Sequence, residues 1–238
     1  RLESCSELLF GEGFREKYGM EYQRAYWDET QNVGLIRAHE WHIFPLLQRR
    51  RLFADVKNFI LYDFFTPDGH VNEDVFAYSN GVGDGLANRS SQRALIIYHN
   101  KFSKTQGWIR NSVGFVDKSN GKLTRKSLGQ ALGIRAGEHD FTIFRDLENG
   151  LEYIRPSREL ASDGLFFVLE AYQHHSFIDF REIEDEGGKW KKVCAELNGG
   201  GYWSIQARFD EINIQGLIVE GKESSPNKID EMGQKVSK

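Results

Sequence analysis

The chain has 238 residues, 39% of them hydrophobic and 13% aromatic, enough for one large domain or two small ones with a sizeable core. Thirty-one Lys and Arg stand against 35 Asp and Glu, a formal net charge of −4. That balance excludes the strong basic excess of general nucleic-acid and membrane-surface binders. No run of about 18 apolar residues would span a bilayer. No signal peptide is visible, and a cytoplasmic location is expected. Cys5 and Cys194 lie far apart and follow no metal spacing, so two free thiols are the expected state.

Residues 6–14, SELLFGEGF, read as a short buried strand through Leu8, Leu9 and Phe10, with Glu12 directly after it. An acidic residue in that place either faces an active site, as at the C-terminal rim of a barrel, or is a solvated loop carboxylate. Residues 15–30 carry Tyr18, Tyr22, Tyr26 and Trp27 among charges. Such rings stack on sugar faces or pin a loop onto the body of a protein, and pinning is the preferred reading. Over 32–54, Val33, Ile36, Ile43, Leu46, Leu47 and Phe53 fall at helical spacing. Asn32 suits the N-cap, and Pro45 predicts a kink or a split. The spacing of His39 and His42, i and i+3, does not match the metalloprotease motif. Arg49, Arg50 and Arg51 read as a solvated face near the helix end.

Residues 58–65, NFILYDFF, form an apolar strand, and 66–69, TPDG, a turn. Val75 to Tyr78 and Ala94 to Tyr98 read as strands joined by a Gly-rich loop over 79–92. A phosphate-cradling role for that loop fails because a strand, not a helix, follows. Trp108 to Phe115 is a further strand. Leu123, Leu128, Leu132 and Ile134 suggest a short helix ending near Gly133. Residues 141–145 and 151–155 flank Asn149-Gly150, a strong hairpin signal. A short turn or helix follows over 157–162. Residues 165–172 and 176–183 then read as another hairpin, with His174-His175 as a plain turn between them rather than a metal site. Seven to eight strands between 58 and 183 predict a mainly β fold, an antiparallel β-sandwich. Trp190, Val193, Cys194 and Leu197 suggest an amphipathic helix, 203–219 another helix or extended run, and 221–238 a disordered tail.

The order of these pieces resembles the C-terminal part of the alpha-amylase family of glycoside hydrolases. The resemblance rests on Phe10-Gly11-Glu12, the aromatic segment EKYGMEY at 16–22, the helix ending LLQRRRLF, and the strand pair VFAYSN and RALIIYHN. It implies that 1–56 are the end of a (β/α)8 barrel (last strand, loop and helix). It further implies that 57–183 are the β-sandwich called domain C and that 184–220 are a helical extension. That family cleaves alpha-glucosidic bonds with paired carboxylates, carried on earlier barrel strands that this stretch does not include. No residue here matches those motifs. The adjacent pairs Asp28-Glu29 and Glu73-Asp74 diverge in strand or helix and suit capping or turns. The resemblance thus implies no catalytic residue, metal or cofactor in this chain, the rest of the barrel as partner, and alpha-glucan as a candidate ligand. Glu12, Tyr26 and Trp27 are the substrate-side candidates. An alternative is a stand-alone carbohydrate-binding or interaction module with Trp108, Tyr26 and Trp27 as stacking platforms.

Overall fold

Pro45 divides the first helical stretch. The computed structural model describes residues 33–82, 92–117 and 120–223; the expected strand at 8–10, the Asn32 cap, Cys5 and the tail from 224 onward lie outside them. Helix α1 (Val33–His42) stops one residue before α2 (Phe44–Gln48), which holds Pro45 in its first turn, where its missing N–H has no intrahelical acceptor to lose. A 3-10 turn, Arg50–Phe53, then inserts Leu52 against Ala94 and Ile178. This contact fastens the helices to the sheet.

The main body is one antiparallel sheet of eight strands, so the chain is mainly β. Its strands are β1 (Ile60–Phe65), β2 (Val75–Val82), β3 (Gln92–His99), β4 (Thr105–Ser112), β7 (Asp140–Asp146), β8 (Glu152–Pro156), β9 (Leu165–Leu169) and β10 (His174–Glu184). They lie in the order β8-β7-β10-β3-β2-β1-β4-β9. A small ladder, β5 (Phe115–Val116) with β6 (Leu123–Thr124), sits apart. Alternation along β1 shows how sequence selects the face: Ile60, Tyr62 and Phe64 are buried, while Leu61, Asp63 and Phe65 point out. The sheet curls so that its distant strands share one core. Phe167 of β9 lies 5.7 Å, ring to ring, from Phe177 of β10, with Phe144 and Tyr153 in the same aromatic cluster.

Three expectations change here. Residues 165–172 and 176–183 do not pair with each other. β9 pairs with β4, and β10 lies between β3 and β7. Gly164 permits the first of these pairings, because it has φ +74° and a Cβ there would collide with the Ile109 carbonyl of β4. Second, β2 runs through Ser79, Asn80 and Gly81 to Val82, so the loop is shorter than 79–92. These polar residues are buried because they have partners. Ser79 Oγ lies 2.6 Å from the Tyr62 hydroxyl, and Asn80 donates to the Asp55 carbonyl at 2.8 Å. The loop's remaining 83–91 lie outside the described residues. Third, His174-His175 opens β10 rather than forming a turn. The Asn149-Gly150 hairpin joins β7 to β8 as expected.

Helix α3 (Leu128–Leu132) excludes Leu123, which belongs to β6. Its Ser127 cap explains the later start. Ser127 Oγ accepts from the Gln130 N–H, and the Gln130 side chain accepts from the Ser127 N–H. With α4 (Ser157–Ser162) it closes one end of the core, burying Leu128, Leu132 and Leu160. Arg93 of β3 donates to the Leu132 carbonyl at 3.0 Å and pairs with Glu182 of β10 at 2.7 Å, both side chains being wholly buried. That ion pair ties the two halves of the sheet to the helix that caps the core.

The outer surface of β7 and β8 is covered by α5 (Lys189–Leu197) and α6 (Ile205–Glu223). They bury Val193, Ile205 and Ile212 against Phe141, Ile143 and Ile154. The expected amphipathic helix at 190–197 is thus α5, and α6 extends into the start of the expected tail. Glu152 fixes this layer. Its carboxylate accepts from Arg145 at 2.8 Å, from both Arg181 nitrogens at 3.0 and 2.8 Å, and from the Ile205 N–H at 2.9 Å. Burial raises the Glu152 carboxyl, but the Arg181 hydrogen bonds, the Ile205 N–H and the two guanidinium charges outweigh it and hold it below the usual range. Asp185 caps α5 by accepting from the Trp190 and Lys191 N–H groups.

Candidate functional site

The outward side of the sheet carries a row of rings. Five successive strands, β3-β2-β1-β4-β9, present Tyr98, Phe76, Phe65, Trp108 and Phe166 in turn. Strand register produces the row: Tyr98 is the partner of Phe76, Phe65 of Trp108, and Trp108 of Phe166. Phe76 itself faces Asp63 on β1, so the row steps by two residues between the Tyr98–Phe76 pair and the Phe65–Trp108–Phe166 trio. Phe76 is 53% exposed, Phe166 47% and Tyr98 37%, with Phe65 and Trp108 half-buried. Trp108 and Phe166 touch at 4.7 Å between centroids, their planes 56° apart. The two rings therefore make an angled rather than a flat surface.

Polar groups alternate with the rings. Asp63 stands beside Phe76, one step along the ladder from the Tyr62–Ala77 pair. The Tyr98 hydroxyl donates to Asn100 Oδ1 at 3.2 Å, and Asp74 holds Lys101 at 2.6 Å. The Arg110 guanidinium lies 5.0 Å from the Trp108 ring centroid, and its Nε donates to the Asp163 carbonyl. Fixed apolar faces with donors and acceptors between them suit a ligand that has both C–H faces and hydroxyls.

At the β10 end of this surface the row meets a polar corner. His174, the partner of Tyr98, places Nε2 2.9 Å from Glu148 Oε2. His42, the last residue of α1, places Nδ1 3.3 Å from the same oxygen. Behind them His175 Nδ1 lies 2.7 Å from Asp146 Oδ2, a wholly buried carboxylate that also accepts from the Ser176 and Glu148 N–H groups. The rings therefore run from near the end of α1 to the last strand of the sheet. Among the described residues no group of three His, Cys, Asp or Glu side chains is arranged to hold a metal ion. The buried carboxylates Asp146, Glu152, Glu182 and Asp185 each hold a structural partner.

Of the residues named from sequence, Trp108 lies in the row; Glu12, Tyr26 and Trp27 lie outside the described residues. Glu73-Asp74 sits in the turn before β2, where Asp74 pairs with Lys101 and its N–H donates to Asn72. Phe65, Phe76, Tyr98 and Phe166 were missed as site residues. No local pattern singles them out; the strand order β3-β2-β1-β4-β9 and its register bring them to one face. Cys194 is a free, half-buried thiol, pushed up by burial, and Cys5 lies outside the described residues. Among the described residues no helix is long and apolar enough to cross a membrane. No protein-family model matches the chain, and no characterised protein matches it in sequence.

Proposed function

We propose that this chain is the C-terminal portion of an alpha-amylase-like enzyme acting on alpha-glucans or related glycosides. In this reading the curled sheet is the β-sandwich, domain C, that supports the barrel, and the catalytic carboxylates lie outside this stretch. The observation that carries it is the outer surface of α1 and α2. Trp41 is 64% exposed and Leu47 57%, with Val33, Ile43 and Phe44 exposed beside them. A shallow recess runs among Phe44, Leu47, Gln48 and Arg50. Apolar surface of this kind marks an interaction site, and it suits a helix of a barrel's outer ring, directly ahead of the supporting sheet. A stand-alone carbohydrate-binding module is the second reading, favoured by the row of rings.

An antibody against this chain, used in its source cells, separates the two. The larger species it captures should release reducing sugar from soluble starch. Capture of only a 27.4 kDa species without that activity would overturn the enzyme reading and leave the binding module.

A further inference from the structure

We infer that the row Tyr98, Phe76, Phe65, Trp108 and Phe166 is a binding track for a single alpha-glucan chain, separate from any bond-cleaving centre. The sugar class rests on the functional reading above; the track itself rests on three observations. First, the rings are delivered one per strand on five adjacent strands, as a facing pair (Tyr98, Phe76) and a facing trio (Phe65, Trp108, Phe166) offset by two residues along β1. Two ring groups in succession, with Asp63 at the step between them, suit a polymer that offers a similar unit to each better than an irregular protein surface. Second, Asp63, Asp74, Lys101 and Arg110 stand among the rings. The core of a protein–protein interface is depleted of charge, whereas a sugar chain meets rings with its C–H faces and charged groups with its hydroxyls. Third, the 56° angle between Trp108 and Phe166 suits a curved chain. Alpha-1,4 linkages give such curvature; beta-1,4 linkages give a flat ribbon, which fits coplanar rings.

The track's β3 end adjoins His174, Glu148 and His42 at the end of α1. A glucan held along it would leave the sheet beside the helices that the functional reading assigns to the barrel. The sheet would then concentrate polymer next to the enzyme body.

The test is calorimetric titration of the 238-residue chain with maltoheptaose and, separately, cellohexaose, with tryptophan fluorescence as a second readout. Maltoheptaose should bind and shift the emission, and cellohexaose should bind at least tenfold more weakly. Phe166→Ala and Phe76→Ala alter exposed rings. Each should weaken maltoheptaose about fivefold, and the double variant by more, with circular dichroism unchanged. Ile214→Ser on α6, off the track, should leave affinity as it was. No maltoheptaose binding, equal binding of cellohexaose, or unchanged affinity in the folded double variant would each overturn the track. A captured enzyme that degrades starch while its sheet fails these tests would sink the track alone. Maltoheptaose binding by a species without starch-degrading activity would sink the enzyme reading alone.

Discussion

Two of the helix pairs on the sheet are attached in opposite ways. At the C-terminal side, α5 and α6 bury Val193, Ile205 and Ile212 in a core of their own, and Glu152 receives four hydrogen bonds beneath them. At the N-terminal side, α1 and α2 reach the sheet through Leu52, through His42 to Glu148, and through a half-exposed Arg49–Asp179 pair at 3.1 Å. Val33, Trp41, Ile43, Phe44 and Leu47 remain exposed. The C-terminal helices are therefore part of the fold, completed by contacts within it, whereas the N-terminal helices display a face that the sheet does not cover. Helical propensity is similar in kind at both sites; the difference lies in which tertiary partner receives the apolar stripe.

The contrast is broken most directly at Glu152. Replacing it with Ala removes the shared partner of the half-exposed Arg145 and Arg181 side chains and frees the buried Ile205 N–H. Loss of these hydrogen bonds, with one buried N–H left unpaired, costs on the order of 1–3 kcal/mol. Urea unfolding should show that loss, and amide exchange should show α5 and α6 opening while β1 to β4 stay protected. Unchanged protection in both helices would mean that their apolar contacts alone hold them.

Acid gives a graded version. The folded Glu152 carboxyl lies below its unfolded range, so its contribution is fully present above about pH 4.5 and is lost as the pH falls through the lowered folded value. On acidification below pH 4, α5 and α6 should lose exchange protection, and Glu152→Gln should remove that pH dependence. A helical layer equally protected at pH 3 and pH 6 would contradict the assignment.

The smallest effect on stability belongs to the N-terminal helices. Trp41→Ser with Leu47→Gln should change unfolding free energy by less than about 1 kcal/mol, because both side chains are already mostly in water. The same double variant should lower binding of an apolar dye. A large stability loss would show that this face packs within the chain, and the contrast between the two attachments would disappear.

What could be read in the sequence was local. Pro45 split a helix, Asn149-Gly150 turned a hairpin, and the apolar run NFILYDFF marked β1. What could not be read was pairing at a distance. Residues 165–183 look like a hairpin because two apolar runs meet at a short polar link, and nothing local reports that β9 belongs to β4. Ser79, Asn80 and Gly81 look like a loop because their burial depends on Tyr62 and Asp55, remote in sequence. Trp108 was singled out as a large ring, but its alignment with Phe65 and Phe166 is a fact of register.

The position of β10 has a consequence for how the protein is made. This strand, the last in the chain to join the sheet, occupies an interior place between β3 and β7. Until residues 174–184 leave the ribosome, the β1-to-β4 portion and the β7–β8 hairpin have no strand to join them. The two edges that will receive β10 stay open during that interval. Long-range closure of this kind slows folding, and open edges are where nascent chains pair wrongly with one another. The Arg93–Glu182 pair, which spans β3 and β10, can form only at that final insertion. Its two buried charges favour the one register in which they meet.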